Sequence, residues 1–423
     1  MENVDLVVQL SHSGVWKNKS NSEDEITAKA VNGIDIIISG HTHYKLDKPI
    51  VVNDTLIVHT GMYGEYVGKM ELEVDDGKVK LIDYKLNKID DKIIGDAKIQ
   101  AKIEDYIEYI DENYFSKYGL SFNQAVAETR FDLLRQEAES TIGSLVADAI
   151  LWRVNQLQYN PEDPSSRTLV AIESNGVVRD DILKGKTGKI QAGDVFNVSP
   201  LGIGMDDTLG YPLLTFYITA GEIKDVLEVM TTVAPLKSSL FNLHVAGIKF
   251  TYNPYRMFFD RVNSIKIKQE DGSYQEVDFS SDNKKLYKVA ANQYITSLLG
   301  LIESFTKGIL VITPKDKNGN PITNLRDAIV DNDPNLEGIQ ETKQWIANIK
   351  YMQSFTDTDG NGLPNLPDRY QDINGRSLAI KSWNPINILS NPAGITKIAI
   401  GIVLGLFALL IFIVRYILKR KSN

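Results

Sequence analysis

Three of the chain's five histidines fall near its N-terminus, at His12, His41 and His43. Each stands just past a short apolar run, Leu6–Leu10 before His12 and Ile34–Ser39 before the other two. In α/β sheets the ligand crevice lies beyond the carboxyl ends of the strands. Imidazoles arriving there together are good ligands for a first-row divalent metal ion. A second group of chemically able residues lies near the other end of the chain. Asp357, Asp359, Asn361, Asn365 and Asp368 take positions 1, 3, 5, 9 and 12 of a loop, with Gly362 at position 6. That is EF-hand-type calcium spacing, with Asp where the helical EF-hand has Glu. Pro364 and Pro367 argue against flanking helices, so an isolated calcium loop is expected.

Hydrophobic periodicity indicates the elements that hold these groups. Residues 1–88 read as β-α-β followed by a meander. The apolar run Val4–Leu10, a helical segment over Glu23–Asn32 and the buried-strand pattern Ile34–Ser39 come first. Alternating strands follow over Pro49–Thr60 and Tyr66–Tyr84, with turn signals at Asn53-Asp54 and Asp76-Gly77. Residues 89–119 carry Asp, Glu, Lys and Ile at helical spacing and predict a solvated linker helix. Residues 120–313 predict one α/β domain, with helices over Glu139–Leu157 and Ala220–Met230 and strands at Leu169–Ile172, Leu213–Thr219 and Tyr287–Asn292. Residues 314–394, richer in Asn, Asp and Pro, predict a loop-dominated stalk that the calcium loop would stiffen.

The unbroken apolar run Ile398–Val414, extended to 395–418, is long enough to cross a hydrocarbon core of ~30 Å as a helix. Arg415, Lys419, Arg420 and Lys421 follow it, whereas Lys397 stands alone before it. The positive-inside rule then puts the tail 419–423 in the cytoplasm and the main body outside, as a single-pass protein of the cell membrane. The start Met1-Glu2-Asn3 has no basic n-region and no apolar h-region. Either the protein is tail-anchored and faces the cytosol, or an exported N-terminal part is missing, and the second is favoured. With 46 Lys plus Arg against 55 Asp plus Glu, the net charge is −9 and no long basic run exists, so no nucleic-acid partner is expected. Zero cysteine excludes disulfides, thiolate catalysis and Cys-ligated metals.

Gly40-His41-Thr42-His43, preceded by Gly33–Ile38, resembles the closing metal motif of calcineurin-like metallophosphoesterases. Leu10-Ser11-His12 resembles that family's preceding ligand segment, and His59-Thr60-Gly61 through Gly68 resembles the strand after it. The order is similar to that of the 5′-nucleotidase and UDP-sugar hydrolase branch. Asn175-Gly176-Val177-Val178-Arg179 resembles a loop of that branch's C-terminal domain. Glu139–Ala149, Ser199–Gly202, Thr219–Glu222, Ala246–Lys249 and Val289–Asn292 follow its order. The resemblance implies a mixed α/β fold with part of a metallophosphoesterase β-sandwich flanked by helices and an α/β C-terminal substrate domain, to which the linker helix and the C-terminal transmembrane helix read above are added. It implies that His12, His41 and His43 bind a centre of two divalent ions, with Mn, Zn, Mg and Co not distinguished. It also implies a nucleotide or nucleotide-sugar substrate. Arg179 suits a phosphate because its planar fork engages two oxygens at once. Asn175 offers a donor and an acceptor beside it, Gly176 lets the backbone approach closely, and Arg135 corresponds to an upstream phosphate arginine. Tyr294 stands where one of two base-stacking aromatics is expected. Leu201 replaces the other, and Leu298-Leu299-Gly300-Leu301 replaces a Gly-Gly-Asp-Gly stretch.

Neither Asp-x-His nor Asn-His occurs, although the family's metal centre needs both. Other catalytic signatures also fail: no Gly-x-Ser-x-Gly exists, and Gly185-Lys186-Thr187 lacks the first Walker glycine. The chain is therefore expected to be the C-terminal portion of a membrane-anchored, metal-dependent nucleotide phosphohydrolase, with little activity alone. The alternative is a non-catalytic surface module that binds a nucleotide or phosphate.

Overall fold

The computed structural model describes residues 4–421 apart from 76, 91, 137 and 237–240, in two units, Met1–Glu108 and Tyr109–Asn423. In the first unit, short Ile- and Val-rich segments form β1 (Val8–Leu10), β2 (Ile36–Ile38), β3 (Ile50–Val52) and β4 (Thr55–Val58), and α1 (Glu23–Ala30) links the first two. The sheet order is β1-β2-β4-β3. β1, β2 and β4 run parallel and β3 is antiparallel to β4. Alternation along the strands decides the two faces. Ile37 and Ile57 meet Ala28 of α1 and Val15 on one side. Ile36, Leu56 and Val58 meet Met70, Leu72, Leu81 and Tyr84 on the other. The second group belongs to the long hairpin of β5 (Tyr66–Asp75) and β6 (Lys78–Lys88). Asn53 and Asp54 make the β3–β4 turn with φ of 47° and 67°, the left-handed pair a two-residue hairpin turn needs. Asp76, in the other expected turn, lies outside the described residues. α2 (Ala97–Asn113) has no buried residue.

The second unit runs through β7 (Ala125–Glu128), α3 (Thr141–Gln158), β8 (Val170–Ser174), β9 (Lys189–Gln191), α4 (Ala192–Val198), β10 (Leu213–Thr219) and α5 (Ala220–Glu228). It continues through β11 (Leu243–Ala246), β12 (Ile248–Tyr252), β13 (Val262–Lys268), β14 (Tyr274–Glu276), β15 (Leu286–Asn292), α6 (Gln293–Phe305), α7 (Gln344–Gln353), β16 (Ser377–Ala379), α8 (Pro385–Leu389) and α9 (Gly394–Lys421). A central sheet of order β10-β15-β8-β11 stands beside a second of order β14-β13-β12-β16. In the central sheet only β8 and β15 are parallel. α3 starts where the Ser140 side chain accepts from the Gly143 N–H, a cap that satisfies one of the orphan donors of the first turn. It is buried along most of its first three turns.

The structure corrects the expected stalk. Residues 314–394 are woven into the second unit. Trp345, Ile346, Ala347, Ile349 and Met352 of α7 join the core formed by Leu145, Val146 and Ile150 of α3. β16 pairs in parallel with β12, and Arg376 reaches Asp148 of α3 at 2.7 Å. An apolar stripe at helical spacing outweighed the Asn-, Asp- and Pro-rich composition around it, because burying it gains more than solvating it. α9 carries one apolar stretch, Gly394–Arg420, long enough to cross a membrane. Its Ile398, Leu404, Phe407 and Phe412 side chains are all exposed. Its first turn is anchored, since Thr396 donates to Asp260 at 2.6 Å.

Candidate functional site

In the first unit, parallel β1 and β2 end side by side and deliver His12 and His41 to one place. Their ring centroids lie 5.0 Å apart, and Trp16 stands edge-on to His41 at 6.4 Å. His43 turns toward Tyr63, at 5.5 Å. All three histidines are exposed. His41 and His43 hold φ of 66° and 59°, left-handed values that cost a non-glycine residue of order 1–3 kcal/mol each and concentrate at functional sites. Gly14 makes the close approach possible: a Cβ there would lie 2.4 Å from Thr42 Cγ2.

Two residues that the sequence analysis does not assign to the site hold this arrangement. The first is Asp24, on the first turn of α1 and fully buried. It accepts from Ser11 Oγ, Ser39 Oγ and the Gly14 N–H, so one carboxylate ties both strand ends. The second is His59 at the end of β4. Its Nε2 lies 3.0 Å from the Gly40 carbonyl, and the Gly61 N–H donates to its Nδ1 at 3.1 Å. That pairing puts the ring proton on Nε2, and burial pushes the ring's pKa below the ordinary histidine value. The signal was present in both cases: Asp24 stands among first-turn acids at a helix start, and His59 follows an apolar strand. Among the described residues, no group of three or more His, Cys, Asp or Glu side chains is arranged to hold a metal ion. Two imidazoles come together without a carboxylate, and this partial donor set does not fit a complete two-metal centre.

In the second unit the loop after β8 carries Asn175, Gly176 and Arg179. The Asn175 N–H donates to Asn242 O at 2.9 Å, which extends the β8–β11 ladder, and the Arg179 N–H donates to Val198 O at 2.8 Å. Asn175 Oδ1 lies 3.2 Å from Nε2 of His244. Arg135 is held by Asp181, two residues beyond Arg179, with its N–H at 2.6 Å and its Nε at 3.5 Å. Behind the loop, Glu173 is fully buried and receives the Ser174 N–H, both oxygens accept from Asn292, and Gln344 of α7 donates as well. Burial pushes the Glu173 carboxyl up to about 8 against these donors.

Tyr294, at the start of α6, sits beside Tyr211, with ring centroids 5.8 Å apart and planes tilted by 32°. Tyr211 packs against Gly202, where a Cβ would meet its ring at 2.3 Å. Tyr211 thus sets an aromatic ring beside Leu201, whose carbonyl accepts from the Tyr211 N–H at 3.1 Å. The two rings contact each other, so they offer a shared face rather than a slot. Next to them lies an apolar cavity of about 510 Å³ lined by Ser174, Val226, Leu243, Tyr294, Leu298 and Leu299 among others.

The expected calcium residues share one loop braced on β7. Asp357 accepts from the N–H groups of Gly360 and Gly362 at 2.7 and 2.8 Å. Asn361 and Asn365 turn their amide nitrogens, not their oxygens, onto Glu128. Asp368 is drawn away to Arg130 at 3.1 Å. Glu128 beside Asp359 contributes to raising the Asp359 carboxyl pKa, after desolvation.

Residues 123–306 match the model of the 5′-nucleotidase, C-terminal domain. The second unit therefore contains a segment similar to that domain. It is 26% identical over 300 residues to a trifunctional nucleotide phosphoesterase protein, YfkN, of Bacillus subtilis, a match covering 70% of this chain and 18% of that one. An uncharacterized metallophosphoesterase of the same organism, YunD, is 41% identical over 71 residues, covering 17% of this chain and 14% of the relative. The crystal structure of a 5′-nucleotidase precursor from Thermus thermophilus superposes with a TM-score of 0.56 at 21% identity, covering 90% of this chain and 64% of that one. This likeness is one of fold. The chain spans less than two thirds of the length of each of these proteins.

Proposed function

We propose that the chain forms part of a nucleotide phosphohydrolase whose second unit holds the substrate. The observation that carries this reading is the Asn175–Arg179 turn after β8, fixed through its backbone to Asn242 beside β11 and to Val198 at the end of α4. A guanidinium and an amide on one turn, with Arg135 reaching Asp181 of the same segment, suit a phosphate-bearing ligand. The Tyr211–Tyr294 face supplies a stacking surface for a base or other flat group. His12, His41 and His43 are proposed as imidazole ligands of a divalent metal site that needs carboxylates beyond those arranged here, and the metallophosphoesterase relative supports metal use in general. Since that donor set is partial, the 423 residues alone are expected to hydrolyse AMP negligibly, even with Mn²⁺. Robust turnover abolished by His41→Ala would overturn this. A non-catalytic nucleotide- or phosphate-binding module is the second reading, favoured by the same partial donor set.

Titration calorimetry of the full chain in detergent with AMP tests the substrate site. Arg179→Ala should weaken binding by roughly tenfold or more, because a hydrogen bond to a charged group is worth ~1.5–3 kcal/mol. Unchanged binding in a folded variant would reduce the loop to a turn. The exposed apolar helix α9 is proposed to span the membrane with Arg415–Lys421 inside. Protease added outside intact cells should then cut residues 1–393, and full protection would reverse the orientation. The Asp357–Asp368 loop is proposed as a weak calcium site that clamps β7, in place of the stalk role expected from sequence.

A further inference from the structure

We propose that His244 is a positioning residue: it donates from Nε2 to Oδ1 of Asn175 and so fixes which edge of that amide the ligand meets. The ring sits at the heart of the second unit, 2% exposed. β11 pairs with β8 so that His244 stands opposite Glu173, two residues before Asn175. From there Nε2 reaches Oδ1 of Asn175 at 3.2 Å. The opposite face lies flat on α3 at Gly143, where a Cβ would meet the ring atoms at 2.3 to 2.4 Å. No residue larger than glycine leaves room for the ring at this height.

Burial and the nearby Arg376 charge push the ring's pKa down to about 4, so it is neutral at pH 7 and carries one proton. Nδ1 is buried without a hydrogen-bond partner. A proton on Nδ1 would be a buried, unsatisfied donor. A proton on Nε2 is satisfied by Asn175 and leaves only a bare lone pair at Nδ1. The second tautomer wins. The amide oxygen of Asn175 is then committed to His244, and the remaining edge of the amide can only donate. The consequence for binding rests on the substrate-site reading above: both side chains of the turn offer donors, so the turn selects acceptors such as phosphate oxygens over cations or donor groups. The surrounding titratable groups are Glu173 opposite, Arg376, and Asp148 paired to Arg376.

Histidine-selective ¹⁵N labelling of the full chain in detergent tests this, because only five histidines contribute and His244→Gln assigns the signal. The expected spectrum has a protonated Nε2 and a bare Nδ1 that do not titrate between pH 5.5 and 8. A protonated Nδ1 would overturn the proposal. In parallel, AMP affinity should fall about tenfold in His244→Leu and stay within about threefold of wild type in His244→Gln, whose amide can still donate. Equal affinity in wild type and His244→Leu would also overturn it. If wild type binds no AMP at all, the substrate-site reading fails, and the tautomer still decides the role of His244.

Discussion

Asp24→Ala should loosen the histidine site without touching a histidine. The Asp24 carboxylate accepts three hydrogen bonds, from Ser11 Oγ, Ser39 Oγ and the Gly14 N–H. Gly14 and Ser39 are buried, whereas Ser11 is half-buried and can turn to water. Each bond to a charged acceptor is worth ~1.5–3 kcal/mol, so losing the two buried ones should cost ~3–6 kcal/mol. That is a large part of the ~5–15 kcal/mol that stabilises a typical domain. The loss should be local, since the three donors all lie on the loops after β1 and β2. Hydrogen exchange of the full chain followed by mass spectrometry reads it directly. Peptides covering 7–15 and 36–44 should exchange roughly a hundredfold faster, which is the ~3 kcal/mol end of that range at ~1.4 kcal/mol per tenfold. Peptides from α3 should be unchanged. Asp24→Asn, which keeps one oxygen and the shape, should show a smaller effect in the same peptides. Identical exchange in wild type and Asp24→Ala would refute the claim that this carboxylate holds the two strand ends together.

Trp345→Ala should lower the stability of the second unit by ~3–5 kcal/mol, as large aromatic truncations in cores do, because Trp345 is 2% exposed and packs on Phe115, Tyr118 and Phe196; an unchanged urea midpoint would restore the stalk. The depressed pKa of His244 means the folded state favours the neutral ring, so its stabilisation is complete above pH 6.5 and is lost as pH falls toward about 4. Wild type should therefore lose roughly 3 kcal/mol relative to His244→Gln over that window, and parallel pH profiles of the two would contradict the burial argument. Calcium at millimolar concentration should raise the melting temperature of wild type but not of Asp357→Ala/Asp359→Ala; equal shifts, or none, would make the loop an ordinary turn.

Much of this molecule can be read locally. Ile36–Ile38 and Thr55–Val58 are strands because β-branched runs bounded by turn residues have few other stable options. The Asn53-Asp54 turn follows from the left-handed preference of those two residues. The exposed apolar stretch of α9 and the Gly40–His43 and Asn175–Arg179 motifs are also local, being a length, a composition and an order of residue types. What the linear chain could not reveal depends on contacts between distant residues. α7 looked like part of a polar stalk because its surroundings are Asn-, Asp- and Pro-rich, and only the apolar face of α3, about 200 residues upstream, makes burying Trp345 favourable. The calcium-like spacing places oxygens along one loop, but Glu128 and Arg130 on and beside β7 compete for Asn361, Asn365 and Asp368. The proton on His244 and the orientation of Asn175 depend on Gly143, on a separate helix. Hydrophobic period and turn chemistry act over a few residues and are written in the sequence. Burial, shared hydrogen bonds and the protonation they impose act across the fold, and only the tertiary structure decides them.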